Sequence, residues 1–208
     1  MHFNVLATAA TAALTFGPAS AVTIFNYRTG TCNGNSYKQC SDIGKFQCCD
    51  GSLIDKQVKS AKFIDLQMTS FGVICDGTDK VPCGPKVQST MGLGSCIGAE
   101  SGRGTMWGDC NYCRKRGVDG RDVLDIDQAL KVASESQAFG VVAADVAGFL
   151  DKNKKPHQFN INGTVPEDVK EQFEHYIDAD SLYEDLPENL KAYELKGNHR
   201  RGIMEYVD

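Results

Sequence analysis

The sequence predicts an α+β protein: a disulfide-stapled antiparallel β domain, built as a Greek key or a sandwich, followed by a small helical region. All nine cysteines of the 208-residue chain lie before residue 114. Short β-branched and aromatic runs separated by turn residues fill that same part, whereas helical spacing of apolar residues appears only after it. The charge also changes sign, because residues 1–116 carry 12 basic and 8 acidic side chains and residues 117–208 carry 10 and 19.

These observations divide the chain into three parts. Residues 1–21 are apolar and end in small side chains at Ala19-Ser20-Ala21, which is typical of a secretory signal peptide. The run is too short and too diluted by Thr, Gly and Pro for a membrane span, so we expect an extracellular protein. Residues 22–116 are predicted as the cysteine-rich β domain and residues 117–208 as the acidic helical region. The net charge of -5 gives no reason to expect a nucleic-acid partner.

The predicted strands of the first domain follow its β-branched and aromatic runs. Residues 22–27 read Val-Thr-Ile-Phe-Asn-Tyr, residues 61–68 alternate polar and apolar side chains, and residues 71–75 form a third run. Asn-Gly and Asp-Gly pairs mark turns between such segments. A domain of about 95 residues has a small core, so four disulfides at ~2–4 kcal/mol each would supply much of its stability.

The predicted helices follow apolar spacing. Residues 123, 126, 130 and 133 are apolar and share one face of a helix preceded by Asp122, and residues 141–150 are apolar nearly all round, which favours a buried helix. Residues 152–156 are polar and predict an exposed connector. Thr164-Val165-Pro166-Glu167 has the pattern of a capping box with proline in the first turn, and it precedes an apolar stripe. Residues 185–188 repeat that pattern, and Gly197 is a predicted C-cap.

The cysteines of a secreted chain are expected to pair as disulfides, so neither a metal ion nor a cofactor is predicted. Nine cysteines make four bridges and one unpaired thiol, and the sequence does not choose among the pairings. Adjacent cysteines rarely meet disulfide geometry, so Cys48 and Cys49 are expected to have different partners. The nine are Cys32, Cys40, Cys48, Cys49, Cys75, Cys83, Cys96, Cys110 and Cys113.

Two questions about the cysteines stay open at this stage. Cys110 and Cys113 form a CxxC pattern, which is either a redox or zinc half-site or, as we favour in a secreted chain, part of one or two structural bridges. The ninth cysteine is either buried and inert or forms an intermolecular disulfide with a partner.

Three further positions are candidates for function. Trp107, the single tryptophan, stands among glycines and is either a platform for a carbohydrate or protein partner or a core residue. Asn162-Gly163-Thr164 is an N-glycosylation acceptor. Arg114-Lys115-Arg116 is either a dibasic processing site or, as we favour, a solvated linker between the two parts of the chain.

The order of motifs in residues 23–96 resembles a known class of proteins. An aromatic strand, a Cys-Asn-Gly-Asn-Ser turn, the Cys48-Cys49 pair, the Phe-Gly-Val-Ile-Cys run and Ser95-Cys96 follow one another. This order resembles the small secreted cysteine-rich proteins of filamentous fungi, including candidate effectors, and among them those with a core similar to βγ-crystallin or killer-toxin Greek keys. The resemblance implies secretion and a Greek-key fold, and it includes no catalytic signature.

Three functions follow as hypotheses. The first is a secreted non-enzymatic effector that promotes colonisation by binding a host protein, through the helical region, the Trp107 loop or both, outside the host cell or after entry into it. The second is an antimicrobial or killer-toxin-like module of charge +4, released from an acidic partner of charge -9 by cleavage after Arg116. The third is a carbohydrate-binding protein or small hydrolase.

Overall fold

The computed structural model describes residues 21–51, 57–78, 82–92, 96–110, 113–116, 122–135 and 140–196. Within these ranges lie thirteen strands, three α-helices and a 3-10 turn at Tyr183–Asp185. The strands are β1 Val22–Tyr27, β2 Ser36–Ile43, β3 Cys48–Asp50, β4 Ser60–Ile64, β5 Ser70–Cys75, β6 Lys86–Met91, β7 Cys96–Gly98, β8 Gly104–Asp109, β9 Arg114–Arg116, β10 Asp122–Leu124, β11 Val141–Ala143, β12 Val146–Leu150 and β13 Pro156–Asn160. The helices are α1 Ile126–Glu135, α2 Glu167–Asp178 and α3 Glu188–Lys191.

Two sheets make up most of the fold. The first has six antiparallel strands in the order β13-β12-β2-β1-β4-β7. The second has five strands in the order β11-β3-β8-β5-β6, in which β11 runs parallel to β3 and the other neighbours are antiparallel. The α+β class and the disulfide-stapled β domain are therefore confirmed at this level, whereas the predicted Greek-key connectivity is not confirmed.

The two sheets share one hydrophobic core. The Phe63 ring of β4 lies directly against the backbone of Gly72 in β5, since a Cβ atom at Gly72 would come within 2.7 Å of it. The amide of Asn26 in β1 bridges the sheets, because Asn26 Oδ1 accepts a hydrogen bond from Thr105 Oγ1 at 3.0 Å and Nδ2 lies 3.1 Å from Cys49 Sγ. Polar and apolar contacts together thus hold β1 against β8.

Four disulfides form in this fold. The bridges are Cys32–Cys96, Cys40–Cys49, Cys48–Cys83 and Cys110–Cys113. The prediction that Cys48 and Cys49 bond to different partners is confirmed. Cys49 joins the second sheet to β2 of the first, while Cys48 joins β3 to the segment before β6, so the adjacent pair connects two other parts of the chain to one point.

The expected helix over residues 141–150 is wrong. This segment forms the two strands β11 and β12, and β12 continues through a hairpin at residues 151–155 into β13. An apolar run of this length fits a buried strand as well as a buried helix. β12 is buried along its whole length, and its Phe149 packs against Phe173 of α2. The predicted connector is the turn of that hairpin.

The first sheet crosses the predicted domain boundary. β12 and β13 come from the acidic half of the chain, yet β12 pairs with β2 from the cysteine-rich half. The sign change of the charge at Arg116 therefore does not coincide with a boundary between sheets. The signal-peptide segment lies outside the described residues except for Ala21, and so does Gly197.

The predicted start of the first helix is also wrong. Asp122–Leu124 is a strand paired with Arg114–Arg116, and the helix begins at Ile126 after Asp125, whose Oδ1 accepts a hydrogen bond from the backbone N–H of Gln128 at 3.1 Å. Val123 and Ile126 are spaced as on one face of a helix, which is why the sequence predicts a helix from this point. Residues 122–124 instead form their backbone hydrogen bonds with β9.

The prediction of α2 is confirmed, but not its cap. The helix begins at Glu167, and Val169, Phe173 and Ile177 are buried against the first sheet. No side chain caps its first turn, because the Thr164 hydroxyl donates a hydrogen bond to Asn162 Oδ1 at 3.1 Å instead.

In the part of the chain that the structure describes, no helix is long and apolar enough to cross a membrane.

Candidate functional site

The ninth cysteine is Cys75, and its thiol is fully buried in β5. Burial in an apolar cluster raises the pKa of this thiol to about 12, because the thiolate would lose its hydration there. An intermolecular disulfide needs an exposed thiolate, so that interpretation of the odd cysteine is wrong for the folded chain. The alternative, a buried inert thiol, agrees with the structure.

We expect Cys75 to be invisible to thiol reagents in the folded protein. At pH 8, without reductant, 5,5′-dithiobis(2-nitrobenzoate) should detect no thiol in the native chain and one thiol per chain in guanidinium chloride. The Cys75→Ala variant should give none under either condition, which assigns the signal. Fast reaction of the native protein, or three thiols after denaturation, would contradict the pairing or the burial.

The Cys110–Cys113 pair is a disulfide between the two cysteines of the CxxC pattern. Cys113 is fully buried and Cys110 is 7% exposed. The CxxC motif is therefore one structural disulfide directly after β8, as the favoured interpretation expected.

Trp107 is a core residue and not a surface platform. Its side chain has no exposed area, and its indole Nε1–H donates a hydrogen bond to the carbonyl oxygen of Ile43 at 2.8 Å. Both faces of β8 are buried, since Trp107 and Met106 belong to different hydrophobic clusters. Gly108 lets neighbouring rings approach the strand, because a Cβ atom there would lie within 2.8 Å of the rings of Phe46 and Phe71. Of the two alternatives for Trp107, a partner platform or a core residue, the structure therefore supports the core residue.

Arg114-Lys115-Arg116 forms the strand β9 and not an irregular linker. All three residues pair with Asp122–Leu124 in an antiparallel hairpin. A protease that reads a dibasic sequence binds an extended segment through its free backbone groups, and here the backbone of β9 is already engaged with β10. Cleavage after Arg116 stays a prediction that would require this hairpin to open.

A cavity of about 470 Å³ lies where α2 meets the two sheets. Its walls come from β2, the end of β3, β11 with the two residues after it, and the loop that leads into α2. Cavities that hold ligands commonly measure about 300–1,000 Å³. We call it the acid-lined pocket, after five carboxyl groups in its lining: Asp50, Asp145, Glu167, Glu171 and Glu174.

The lining also includes the ion pair of Lys38 and Glu174. Lys38 extends from β2 on the same face of the sheet as Cys40, and its ammonium group contacts Glu174 Oε1 from α2. The two residues are 3% and 8% exposed. The second carboxylate oxygen, Glu174 Oε2, is buried and has no hydrogen-bond partner among the described residues. A buried carboxylate oxygen in this condition favours a donor group supplied from outside the chain.

Burial acts on both members of the pair. It lowers the pKa of the Lys38 ammonium group and raises the pKa of the Glu174 carboxyl group, and in each case the attraction of the partner opposes this shift without cancelling it. A second ion pair, Arg28 Nε to Asp178 Oδ1 at 2.8 Å, fixes the end of α2 one turn further along. The pair in the pocket is thus held at a fixed place between a strand and a helix.

The rest of the pocket combines charge at its rim with small apolar walls. Lys170 pairs with Glu167 at 3.1 Å, while Glu171 is exposed on the next position of α2. With five carboxyl groups against the two ammonium groups of Lys38 and Lys170, the lining carries an excess of three negative charges when all are ionised. The apolar walls are Val142, Ala143, Ala144 and Ile161.

Sequence reasoning missed Lys38 and Glu174. Glu174 directly follows Phe173 and comes three residues before Ile177, so it lies at the flank of the apolar stripe of α2 and could have been suspected. Lys38 shares its strand face with Cys40 two residues later, but β2 was not among the predicted strands. The pocket lining includes Val142 and Ala143 of β11, a segment that the apolar run predicts as part of a helix.

No protein-family model, no curated protein and no solved structure matches this chain. The resemblance to fungal cysteine-rich proteins therefore has no support from known families or folds.

Proposed function

We propose that this protein is a secreted, disulfide-stapled binding protein that holds a lysine or arginine side chain of a partner protein in the acid-lined pocket. The observation that carries the proposal is Glu174, a residue of the pocket lining whose buried Oε2 atom has no hydrogen-bond donor among the residues that the structure describes. Four disulfides and nine cysteines are compatible with an extracellular location. The proposed role is binding and not catalysis, because Lys38 and Glu174 are engaged with one another.

The pocket suits the two parts of such a side chain. The methylene groups of lysine and arginine pack on apolar surface while their charged ends keep polar contacts. Val142, Ala143 and Ile161 offer small apolar surface of that kind. The carboxyl groups around them supply the negative charge that a cationic end requires.

The surroundings of the pocket favour a protein over a free amine. Acidic side chains continue outside it on exposed positions of the helical segments, among them Asp168 and Glu188. A surface with one predominant charge attracts a partner surface of the opposite charge and accelerates their encounter. The host identity of that partner, expected from the resemblance alone, stays a prediction.

Peptide titration tests this function. The probe is acetyl-Gly-Gly-Arg-Gly-Gly-amide, with lysine and norleucine in the central position as the comparison and the neutral control. In low salt, the backbone amide signals of α2 and β11 should shift and saturate with the two basic peptides, and norleucine should bind at least about tenfold more weakly. Raising the salt concentration to 0.5 M should weaken binding, because exposed charges are then screened.

A pair of charge-matched variants locates the binding. Glu171→Gln removes one exposed carboxylate from the rim and should weaken the arginine peptide by about fivefold, the equivalent of ~1 kcal/mol for one charge near 4 Å in water. Glu188→Gln removes one exposed carboxylate outside the pocket and should leave the affinity unchanged. Equal binding of the norleucine peptide, or no saturable shift with either basic peptide, would overturn the proposal.

A further inference from the structure

The N-glycosylation acceptor lies at the rim of the acid-lined pocket. Asn162 and Gly163 are exposed, and both belong to the lining between the end of β13 and the start of α2. A Cβ atom added at Gly163 would meet nothing within 4 Å, so the loop stands in open space. In the sequence this motif shares Thr164 with the predicted helix cap, and only the fold places it beside a cavity.

The loop presents the Asn162 amide in a defined way. Thr164 donates two hydrogen bonds to Asn162 Oδ1, from its backbone N–H at 3.4 Å and from its hydroxyl at 3.1 Å. Both contacts use the oxygen of the amide and leave its nitrogen, Nδ2, outside them. Nδ2 is the atom to which an N-linked glycan is attached.

We propose that an N-glycan on Asn162 controls access to the acid-lined pocket. The modification joins Nδ2 to C1 of the first sugar of an oligosaccharide carried on a lipid diphosphate. The C1–O bond to the lipid diphosphate breaks, the lipid diphosphate leaves, and Nδ2 loses one proton. The regulatory role rests on the proposed function of the pocket, whereas the covering of the pocket by the glycan does not depend on which ligand binds there.

The geometry determines the direction of the effect. A glycan that starts at Asn162 stands at the mouth of the pocket, on the loop that precedes α2 and its rim residues Glu167 and Lys170. Even its first sugars are comparable in size to the side chain that the pocket is proposed to take. The glycosylated chain should therefore exclude bulky partners from the pocket, and the unmodified chain should admit them.

The experiment uses the full chain secreted from a eukaryotic host and three sequences of the acceptor. The wild type and Thr164→Ser keep the acceptor, whereas Thr164→Ala removes it without altering Asn162. Mass spectrometry of the secreted chains should find a glycan on Asn162 in the first two and none in the third. An unmodified Asn162 in the secreted wild type would overturn the proposal.

Lysine labelling then measures the covering of the pocket without any ligand. A bulky biotin ester of N-hydroxysuccinimide should label Lys170 at least about fivefold more slowly in the purified glycoform than in Thr164→Ala. Lys152, which is exposed in the β12–β13 turn at the opposite end of β13 from the acceptor, should react equally in both. Equal labelling of Lys170 would overturn the proposal.

The arginine peptide separates this proposal from the function on which it rests. Weaker binding to the glycoform than to Thr164→Ala supports both. If Lys170 is protected but the peptide binds neither form, the proposed function fails while the covering of the pocket by the glycan stands. If the peptide binds both forms equally, the control of access is wrong and the binding function stands.

Discussion

Replacing Lys38 with methionine should lower the free energy of unfolding by about 3–5 kcal/mol, one of the two largest effects we expect in this protein. The substitution keeps the length of the side chain but leaves the buried Glu174 carboxylate without its partner, and removal of one member of a buried ion pair typically costs this amount. Urea denaturation at pH 7 measures the loss.

The pH dependence of the same variant tests the cause. Burial raises the pKa of Glu174 even with Lys38 present, so in Lys38→Met the folded chain should take up a proton at a higher pH than the unfolded chain. The folded state then binds more protons than the unfolded state above pH ~4.3, and the free energy of unfolding falls as the pH rises through this range. The deficit relative to wild type should therefore be smaller at pH 5 than at pH 8.

Two controls accompany this variant. Lys38→Met combined with Glu174→Leu removes both charges and should recover most of the lost stability. Lys191→Met breaks the surface pair of Lys191 and Glu188 and should leave the stability nearly unchanged. A double variant as unstable as Lys38→Met alone would show that packing, and not the uncompensated charge, causes the loss.

Replacing Trp107 with alanine should lower the free energy of unfolding by about 3–5 kcal/mol. The substitution empties the site of the largest fully buried side chain and leaves the Ile43 carbonyl without its 2.8 Å hydrogen bond. Thermal and urea denaturation followed by far-UV circular dichroism measure the effect without relying on the fluorescence of the only tryptophan.

Two variants give this measurement its meaning. Trp107→Phe retains most of the volume and should be less destabilising than alanine, and Met68→Ala, at a position 76% exposed, should be nearly neutral. A carbohydrate platform at Trp107 predicts the reverse result: alanine would leave stability intact and abolish binding to polysaccharides. Stability equal to wild type in Trp107→Ala would therefore contradict the structure.

Local sequence patterns were sufficient to predict β1, α2 and the separate partners of Cys48 and Cys49. The β-branched and aromatic run at residues 22–27 is β1 with the predicted bounds, and the apolar stripe from Val169 to Ile177 is α2. The separate partners of Cys48 and Cys49 followed from disulfide geometry alone. The helix predicted at residues 141–150 is wrong because a continuous apolar run has no periodicity that distinguishes a buried strand from a buried helix.

The candidate site depended on contacts between distant segments. Glu174 and Lys38 are 136 positions apart, and their pairing requires that β12 and β13 join β2 and that α2 cover the resulting sheet. No local pattern encodes such a neighbour. The same reason applies to Trp107: its sequence context left a partner platform and a core position open, and only the fold, in which Gly108 accommodates the rings of Phe46 and Phe71, decides for the core.

Composition and spacing determined the confinement of the cysteines, the different partners of the adjacent pair, the α+β class and the change in charge along the chain. These are properties of residue type and local geometry, which a sequence contains directly. The pairing of the other cysteines, the burial of Cys75 and the acid-lined pocket were decided by the tertiary structure. Because the first sheet takes strands from both sides of Arg116, the change in charge there does not separate two sheets. The acid-lined pocket is likewise built by residues from both halves of the chain.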